Sequence, residues 1–189
     1  MNFLIFGLGN IGDEYAKTRH NVGFMILDAY AKASNIVFKQ ERYGFVAQRR
    51  LKGNNITLVK PTTYMNLSGK SVRYWIQKKK TLIENILVIA DDINLPMGEI
   101  RIKPKGGDGG HNGLVNIIEL IGTQQFARMR YGVGNNFSKG RQVDYVLGEF
   151  ESEEIEIFEK QIELFPKIIN SFATVGLQRT MNLYNGRKS

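Results

Sequence analysis

The chain has 189 residues, of which 42% are hydrophobic and 23% are charged, as is typical of one globular domain with a substantial core. The absence of cysteine excludes disulfides, thiolate metal sites and a cysteine nucleophile, and the longest apolar run, residues 86–90, is far too short to span a bilayer. The net charge of +8 modestly favours a polyanionic partner, nucleic acid above all, over a basic surface that serves only solubility.

The first half of the chain alternates predicted strands and helices. Residues 2–6 form an apolar run that predicts a buried strand, and the helical spacing of apolar residues over 21–34 predicts a helix. Residues 43–50 and 55–60 predict two strands, and the turn between them is rich in Asn and Gly, as is typical of a hairpin. A helix is predicted over 66–80, where three terminal lysines complement the helix C-terminus.

The second half of the chain continues this alternation. Its predicted elements are a buried strand over 84–90, an alternating strand over 97–103, a glycine-rich loop over 106–110, a helix over 113–121, a strand over 126–134, and helices over 151–175, interrupted near Pro166, and 177–185. Strands and helices that intermingle in this way are typical of an α/β sheet with helices on both faces.

Polar and aromatic residues follow several of the predicted strands. In α/β sheets the ligand site lies beyond the carboxyl ends of the strands. The segments predicted to lie there are 7–10, 61–66, 91–94 and 131–135, and each carries amides, carboxylates or aromatic side chains. The sequence therefore predicts a functional site at this edge of the sheet.

The first of these segments, GLGNIG at residues 7–12, matches the G-x-G-x-x-G pattern of a dinucleotide-binding turn. That function requires a helix that begins inside the motif and an acid about 20 residues later, at the end of a second strand. The following DEYAKTRHN has no apolar periodicity, Asp28 lies inside the predicted helix, and Glu41 ends no obvious strand. The context disfavours a nicotinamide or flavin cofactor.

His20 and Asp91 are the candidate catalytic pair. A neutral imidazole is suited to take a proton from water at physiological pH, and a carboxylate on its other nitrogen would orient it. Asp91 follows a buried strand, where it could meet a histidine from a neighbouring loop. The alternative, a hydrogen-bonded structural histidine, is about as well supported by these residues alone. The other histidine, His111, lies 91 positions from His20, so no local metal-binding spacing exists.

Three asparagines, Asn10, Asn66 and Asn112, fall in three different candidate loops. A carboxamide can read a peptide group, position a water molecule or donate to a developing oxyanion. Asparagine is also a common turn residue, so each of the three alone has a structural interpretation.

Cations flank the glycine-rich loop and the strand after it: Lys103, Lys105, Arg128 and Arg130. They could clamp a phosphate, with a bidentate fork from Arg130. Strand alternation places both arginines on one face, and a solvated sheet face is the competing interpretation.

Five segments in order resemble the bacterial-type peptidyl-tRNA hydrolase family: GLGNIGDEYAKTRHNVGF, KPTTYMNLSG, DDINLPMG, GGDGGHNGL and FARMRYGVG. The resemblance covers most of the chain and weakens after about residue 150. It implies hydrolysis of the ester between a peptide and the 3′ ribose of tRNA, which recycles tRNA from aborted translation.

The resemblance also implies a fold and a cellular setting. The expected fold is one domain over residues 1–189, a three-layer α/β/α architecture with a mixed, twisted sheet whose core is largely parallel. The expected protein is a cytoplasmic monomer without metal or organic cofactor, and its partner is peptidyl-tRNA rather than a membrane. Residues 1–20 lack a signal-peptide pattern, in keeping with that compartment.

The resemblance assigns roles residue by residue. His20 matches the general base, Asp91 the carboxylate that orients it, and Asn10 a residue that distinguishes peptidyl-tRNA from free aminoacyl-tRNA. Asn66 and Asn112 match substrate-binding amides, and Asn112 is also placed to hold the water.

Further matches concern the substrate. Tyr15 and Tyr64 match residues that contact the acceptor end of tRNA, and Met65 matches a residue of the peptide groove. Lys103 and Arg130 match a basic pair that clamps the 5′-phosphate of the acceptor stem.

Some features depart from the family pattern or stay open. Ile11 stands where the family usually has Pro, and Asn94 where it usually has an acid. Residues 149–163 contain seven Glu and one Lys, and we expect a solvated helix face there. Two alternative functions are a non-catalytic RNA-binding or ribosome-associated protein and a nucleotide-cofactor oxidoreductase.

Overall fold

The computed structural model describes residues 1–186, and this part of the chain forms one seven-stranded sheet in the order β2-β3-β4-β1-β5-β7-β6. The strands are β1 (Asn2–Gly7), β2 (Lys39–Glu41), β3 (Gly44–Leu51), β4 (Asn54–Pro61), β5 (Ile86–Asp92), β6 (Ile100–Lys103) and β7 (Ala127–Gly132). The helices are α1 (Val22–Ala33), α2 (Ser68–Lys79), α3 (Asn112–Ile121), α4 (Gln142–Val146), α5 (Ser152–Lys160), α6 (Leu164–Val175) and α7 (Leu177–Tyr184).

The sheet has a parallel centre and antiparallel edges. β1 pairs in parallel with β4 and β5, and β5 pairs in parallel with β7. β2, β3 and β4 form an antiparallel succession at one edge, and β6 is antiparallel to β7 at the other. The predicted mixed sheet with a largely parallel core is confirmed.

Apolar side chains cover both faces of this sheet. One cluster joins it to α1, α5 and α6, and includes Ile26, Phe158 and Phe165. The other joins it to α2 and α3, and includes Trp75 and Leu114. Every residue of the central strand β5 is buried, since helices cover it from both sides. The three-layer α/β/α prediction is confirmed.

The predicted elements exist, but some boundaries were wrong. The interruption predicted near Pro166 is found at 161–163, between α5 and α6; Pro166 itself lies in the first turn of α6, where a proline has no intrahelical N–H to lose. The sequence did not reveal β2, an exposed edge strand without apolar alternation, so Glu41 does end a strand. The short helix α4 was also missed.

Two further expectations concern the whole chain. Within residues 1–186, no helix is both long and apolar enough to cross a membrane. The last three residues of the predicted 1–189 domain lie outside the described residues.

The glycines that follow β1 serve a close approach between backbones. A Cβ on Gly7 would lie 2.2 Å from the carbonyl oxygen of Gly23, and a Cβ on Gly23 would lie 2.4 Å from the backbone nitrogen of Leu8. A Cβ on Gly9 would lie 2.7 Å from the ring of Phe24. The first turn of α1 therefore packs directly against the end of β1, and the motif fixes the path of the chain into the site.

We expect Gly7→Ala to lower the free energy of unfolding by about 1–3 kcal/mol, because the new methyl group overlaps a backbone carbonyl that a packed helix holds in place. Urea denaturation measures this change. Gly107→Ala is the matched control, since a Cβ there meets no atom within 4 Å and the variant should unfold close to wild type. Equal stability of the two variants would contradict the packing argument.

Candidate active site

A cleft of about 210 Å³ opens at the carboxyl ends of the central strands. Among the residues that line it are most of those predicted from the sequence: Asn10, His20, Tyr64, Met65, Asn66, Asp91, Asn112 and Arg130. These residues come from six segments, which are the turn after β1, the 3₁₀ turn before α1, the segment between β4 and α2, the ends of β5 and β7, and the first residue of α3. The predicted location of the site is therefore where a concave surface is found.

Asp91, the next-to-last residue of β5, lies in this cleft and accepts hydrogen bonds from two histidines. Nδ1 of His20 lies 2.9 Å from both carboxylate oxygens of Asp91, and Nε2 of His111 lies 2.9 Å from its Oδ1. All three side chains are buried. Because a carboxylate only accepts hydrogen bonds, each of these ring nitrogens carries a proton.

The second nitrogen of each histidine has a different environment. Nδ1 of His111 accepts from the backbone N–H groups of Gly113 and Leu114, at 3.1 and 3.3 Å, and so caps the N-terminus of α3. His111 is therefore fixed as the neutral Nε2–H tautomer. Nε2 of His20 has no hydrogen-bond partner among residues 1–186, which leaves it available to a molecule in the cleft.

The charge of Asp91 is set by opposing effects. Burial favours the neutral acid, but the attraction of His20 and His111 and their hydrogen bonds outweighs it and holds the pKa of Asp91 well below its usual range. Asp91 therefore remains an acceptor throughout the physiological pH range.

The same three side chains have donor atoms within 4.8 Å of one another, close enough for a metal ion. Metal binding by Nε2 of His111 would require that nitrogen to lose its proton. The proton would then sit on Nδ1, facing the N–H groups of Gly113 and Leu114. The donor set thus fits a chain of hydrogen bonds better than a metal centre, and the predicted absence of a metal stays a prediction.

Hydrogen bonds hold the backbone N–H, the backbone carbonyl and the side chain of Asn10. Its backbone N–H donates to Oδ1 of Asn21 at 2.8 Å, and Nδ2 of Asn21 donates to its carbonyl at 2.9 Å. Its own Oδ1 accepts from the N–H of Met65 at 2.7 Å. The NH₂ group of Asn10 has no partner in the described part of the chain and remains to donate into the cleft.

The other substrate-binding candidates surround this centre. Tyr64 is 57% exposed at the rim, and Met65 is buried beneath it. Asn66 is exposed just before α2, and Asn112 is exposed at the first residue of α3. Tyr15 is half-buried in a 3₁₀ turn, Asp13–Tyr15, and does not line the cleft.

The predicted basic groups lie in three environments, which are the cleft, the exposed edge of the sheet and, for Arg128, the protein interior. Arg130 lines the cleft, where its guanidinium lies 3.3 Å from Asp92 and donates to the carbonyl of Gly107 at 2.8 Å. Lys103 is exposed on the edge strand β6, outside the cleft, and Lys105 is exposed just beyond it.

Arg128 contradicts both predictions made for it. Its side chain is fully buried, donates to the carbonyls of Gly107 and Gln124 at 2.9 Å, and lies 4.1 Å from the centre of the Phe126 ring. Burial, and then the charge of Arg130, lowers its pKa to about 10. Arg128 neither clamps a phosphate nor faces solvent, because the loop over 106–110 covers this end of the strand; it anchors that loop instead.

Arg19, directly before His20, ties the site to the C-terminal helices. Its Nε and Nη2 donate to the two carboxylate oxygens of Glu154 at 3.1 and 2.8 Å, and its Nη1 donates to the carbonyl of Tyr145. The guanidinium also lies 4.2 Å from the centre of the Tyr145 ring. The acidic segment is therefore not only a solvated face, since Glu154 is mostly buried in this ion pair.

Sequence reasoning missed several of these residues. It assigned no role to Asn21, Arg19 or Glu154 and left that of His111 open. The one available signal was that both histidines precede an asparagine. The capping role of His111 and the partner of Arg19 depend on distant segments that sequence spacing does not place.

Comparisons with known proteins agree over the whole chain. A family model described as peptidyl-tRNA hydrolase matches residues 4–189. Peptidyl-tRNA hydrolases of Phocaeicola vulgatus and Porphyromonas gingivalis are each 52% identical over 185 residues, which cover 98% of this chain and 99% and 100% of the relatives. The crystal structure of peptidyl-tRNA hydrolase from Acinetobacter baumannii is similar with a TM-score of 0.92 and 36% identity, over 98% of this chain and 95% of that one.

We expect Glu154→Ala to lower the free energy of unfolding by about 2–3 kcal/mol, because it leaves the buried guanidinium of Arg19 without its bidentate partner. Glu156→Ala, on the exposed face of the same helix, is the matched control and should change stability by less than about 0.5 kcal/mol. Chemical denaturation distinguishes them. If both variants lost equal stability, the ion pair would be no more important than an exposed charge.

Proposed function

Since the chain belongs to the peptidyl-tRNA hydrolase family and hydrolyses the ester bond of peptidyl-tRNA, we propose that His20 is its general base. The observation that carries this proposal is the 2.9 Å contact between Nδ1 of His20 and Asp91, which leaves Nε2 of the same ring facing the cleft. That nitrogen takes a proton from water, and the water oxygen attacks the ester carbonyl carbon. The bond to the 3′ ribose oxygen then breaks, and the proton passes to that oxygen.

Asp91 serves this step in two ways. It fixes the tautomer of His20, so that the unprotonated nitrogen faces the substrate, and its negative charge stabilises the imidazolium that forms. His111 supports both roles, since its Nε2–H donates to the same carboxylate and helps to keep it ionised.

The amides supply donors around the reacting carbonyl. The NH₂ group of Asn10 is the best placed of these donors, because hydrogen bonds with Met65 and Asn21 hold this residue in one orientation. Asn112 and Asn66 line the same cleft and are proposed to hold the attacking water and the peptide amides. Preorganised donors of this kind stabilise a tetrahedral oxyanion without reorganising during the reaction.

The substrate is proposed to lie across the cleft. Met65 contacts the peptide, and Tyr64 and Tyr15 contact the acceptor end of the tRNA. Lys103 and Arg130 bind the 5′-phosphate. To do so, Arg130 would exchange its contacts with Asp92 and the carbonyl of Gly107 for contacts with the phosphate. We propose that the chain acts as a single-domain monomer in the cytoplasm and needs no cofactor.

We expect His20→Ala to slow peptide release from N-acetyl-aminoacyl-tRNA by about 10²–10⁴-fold, as is usual for loss of a general base.

Asp91→Asn should lower kcat by a comparable factor while KM stays within about twofold, because Asp91 contacts the base rather than the substrate. Single-turnover release assays measure both effects.

Three outcomes would contradict this assignment. Wild-type rates in His20→Ala would exclude the general base, and a loss of tRNA affinity equal to the loss of rate in Asp91→Asn would exclude the orienting role. Failure of the wild-type protein to release peptide would instead favour a non-catalytic RNA-binding protein.

For the phosphate clamp, we expect Lys103→Ala to raise KM with kcat unchanged. Because one phosphate contact is lost, the slope of log KM against log salt should fall by roughly 0.7–0.9. Lys167→Ala, an exposed lysine on α6, is the control and should leave the slope unaltered. An unchanged slope for Lys103→Ala would contradict its contact with a phosphate.

A further inference from the structure

Helix α2 carries an unusual concentration of positive charge. From Ser68 to Lys80 the sequence has five cations and no acid. Lys70 and Arg73 are exposed at helical spacing on the side of the helix away from the buried Trp75, and Lys80, the left-handed residue that ends the helix, is exposed beyond them. None of these three cations has an ion-pair partner among residues 1–186.

The helix dipole does not account for this charge. Cations near a helix C-terminus are stabilised by the dipole, which explains the lysines at 78–80. Lys70 lies in the first turn of α2, where the same dipole disfavours a cation, and Arg73 lies mid-helix. An external anion is a reason for positive charge along the full length of the helix.

Aromatic side chains are interleaved with these cations. The rings of Tyr43 and Tyr74 meet edge to face with centroids 5.4 Å apart, and the guanidinium of Arg42 lies 5.1 and 5.4 Å from their centres. A hydrogen bond and the charge from Arg42, then the charges of Lys70 and Arg73, lower the pKa of Tyr43. Basic groups around accessible aromatic rings are typical of surfaces that bind single-stranded or exposed nucleic acid.

The C-terminal end of α2 forms one wall of a groove of about 550 Å³. Its floor includes Arg50, Asn55 and Asn2, which lie side by side on β3, β4 and β1. No acidic residue in the described part of the chain lines this groove, and Lys78 alone of its cations forms an ion pair, with Glu41 at 2.9 Å. The groove thus extends the positive stripe across the sheet.

The stripe starts beside the active site and leads to the groove. Tyr64 and Asn66, which line the cleft, directly precede α2, and the helix of 12 residues carries the surface about 18 Å away from it. A nucleic acid whose 3′ end occupies the cleft therefore has a continuous positive path along which its backbone can lie.

We propose that this α2 surface, formed by Arg42, Arg50, Lys70, Arg73, Lys79 and Lys80, binds the sugar-phosphate backbone of the substrate tRNA beyond its 3′ end. The proposal rests on the proposed function, because it requires the 3′ end of the tRNA to occupy the cleft. The surface adds affinity for the body of the tRNA and is separate from the clamp at Lys103 and Arg130.

The test compares a long and a short substrate in the Lys70→Glu/Arg73→Glu protein. With full-length N-acetyl-aminoacyl-tRNA at low salt, we expect KM to rise about tenfold and the slope of log KM against log salt to fall by roughly 1.5, for two lost contacts. With the same ester on a single adenosine, which occupies the cleft but is too short to extend along α2, KM and kcat should equal those of wild type.

The control is Lys167→Glu/Arg179→Glu, which makes the same change in net charge at exposed positions on α6 and α7. If it raised KM as much, the effect would be general electrostatics and the proposal would fail. An unchanged KM for tRNA, or an equal loss on the adenosine ester, would also overturn it.

A binding measurement separates this proposal from the catalytic one. Fluorescence anisotropy with uncharged tRNA, in a His20→Ala background, should show the same loss of affinity on Lys70→Glu/Arg73→Glu. If His20→Ala kept full activity, the catalytic proposal would fail while this loss still supported the surface. If the affinity did not change, the surface would fail whatever the role of His20.

Discussion

The structure depends on how it satisfies one buried carboxylate. Asp91, the next-to-last residue of the inner strand β5, has almost no exposure to water, and an ionised carboxylate is stable there only if charged or polar donors surround it. His20 and His111 provide those donors from two separate segments. The requirement therefore joins the end of β5, the turn after β1 and the N-terminus of α3 at one point. The same requirement leaves one imidazole nitrogen of His20 without a partner at the cleft, where the general-base role proposed for it needs that nitrogen.

The surrounding contacts limit how far this centre can move. The paired glycines Gly7 and Gly23 hold α1 against the end of β1, and α1 begins immediately after the turn that carries His20. On the other side of the turn, Arg19 is held by Glu154. His20 thus lies between a backbone packing contact and a buried ion pair. Proton transfer is sensitive to the placement of the base, so rigidity on both sides of His20 would serve the general-base role proposed for it.

Much of the fold and part of the site could be predicted from the sequence because they depend on local patterns. Buried strands appear in the sequence as apolar runs. Because parallel strands end at one edge of a sheet, the sequence also predicted that Asp91 could meet His20 from a neighbouring loop. Contacts between distant segments could not be predicted. Alternation placed Arg128 on the correct face of β7, but no pattern showed that a loop buries it. The sequence does not distinguish Glu154 from its acidic neighbours, because only the fold brings Arg19 to it.

The helical layers on the two faces of the sheet differ in charge, and this difference affects how a polyanionic substrate approaches the cleft. The acidic helix α5 packs through Phe158 into the cluster with α1 and α6, whereas α2 packs through Trp75 into the cluster on the other face. The exposed glutamates and the α2 surface therefore lie on opposite sides of the sheet. A polyanion approaching this molecule is repelled by one layer and attracted by the other, which raises the rate of productive encounters. The net charge of +8 averages over this asymmetry, in which seven Glu fall within residues 149–163 and five cations with no acid fall within residues 68–80.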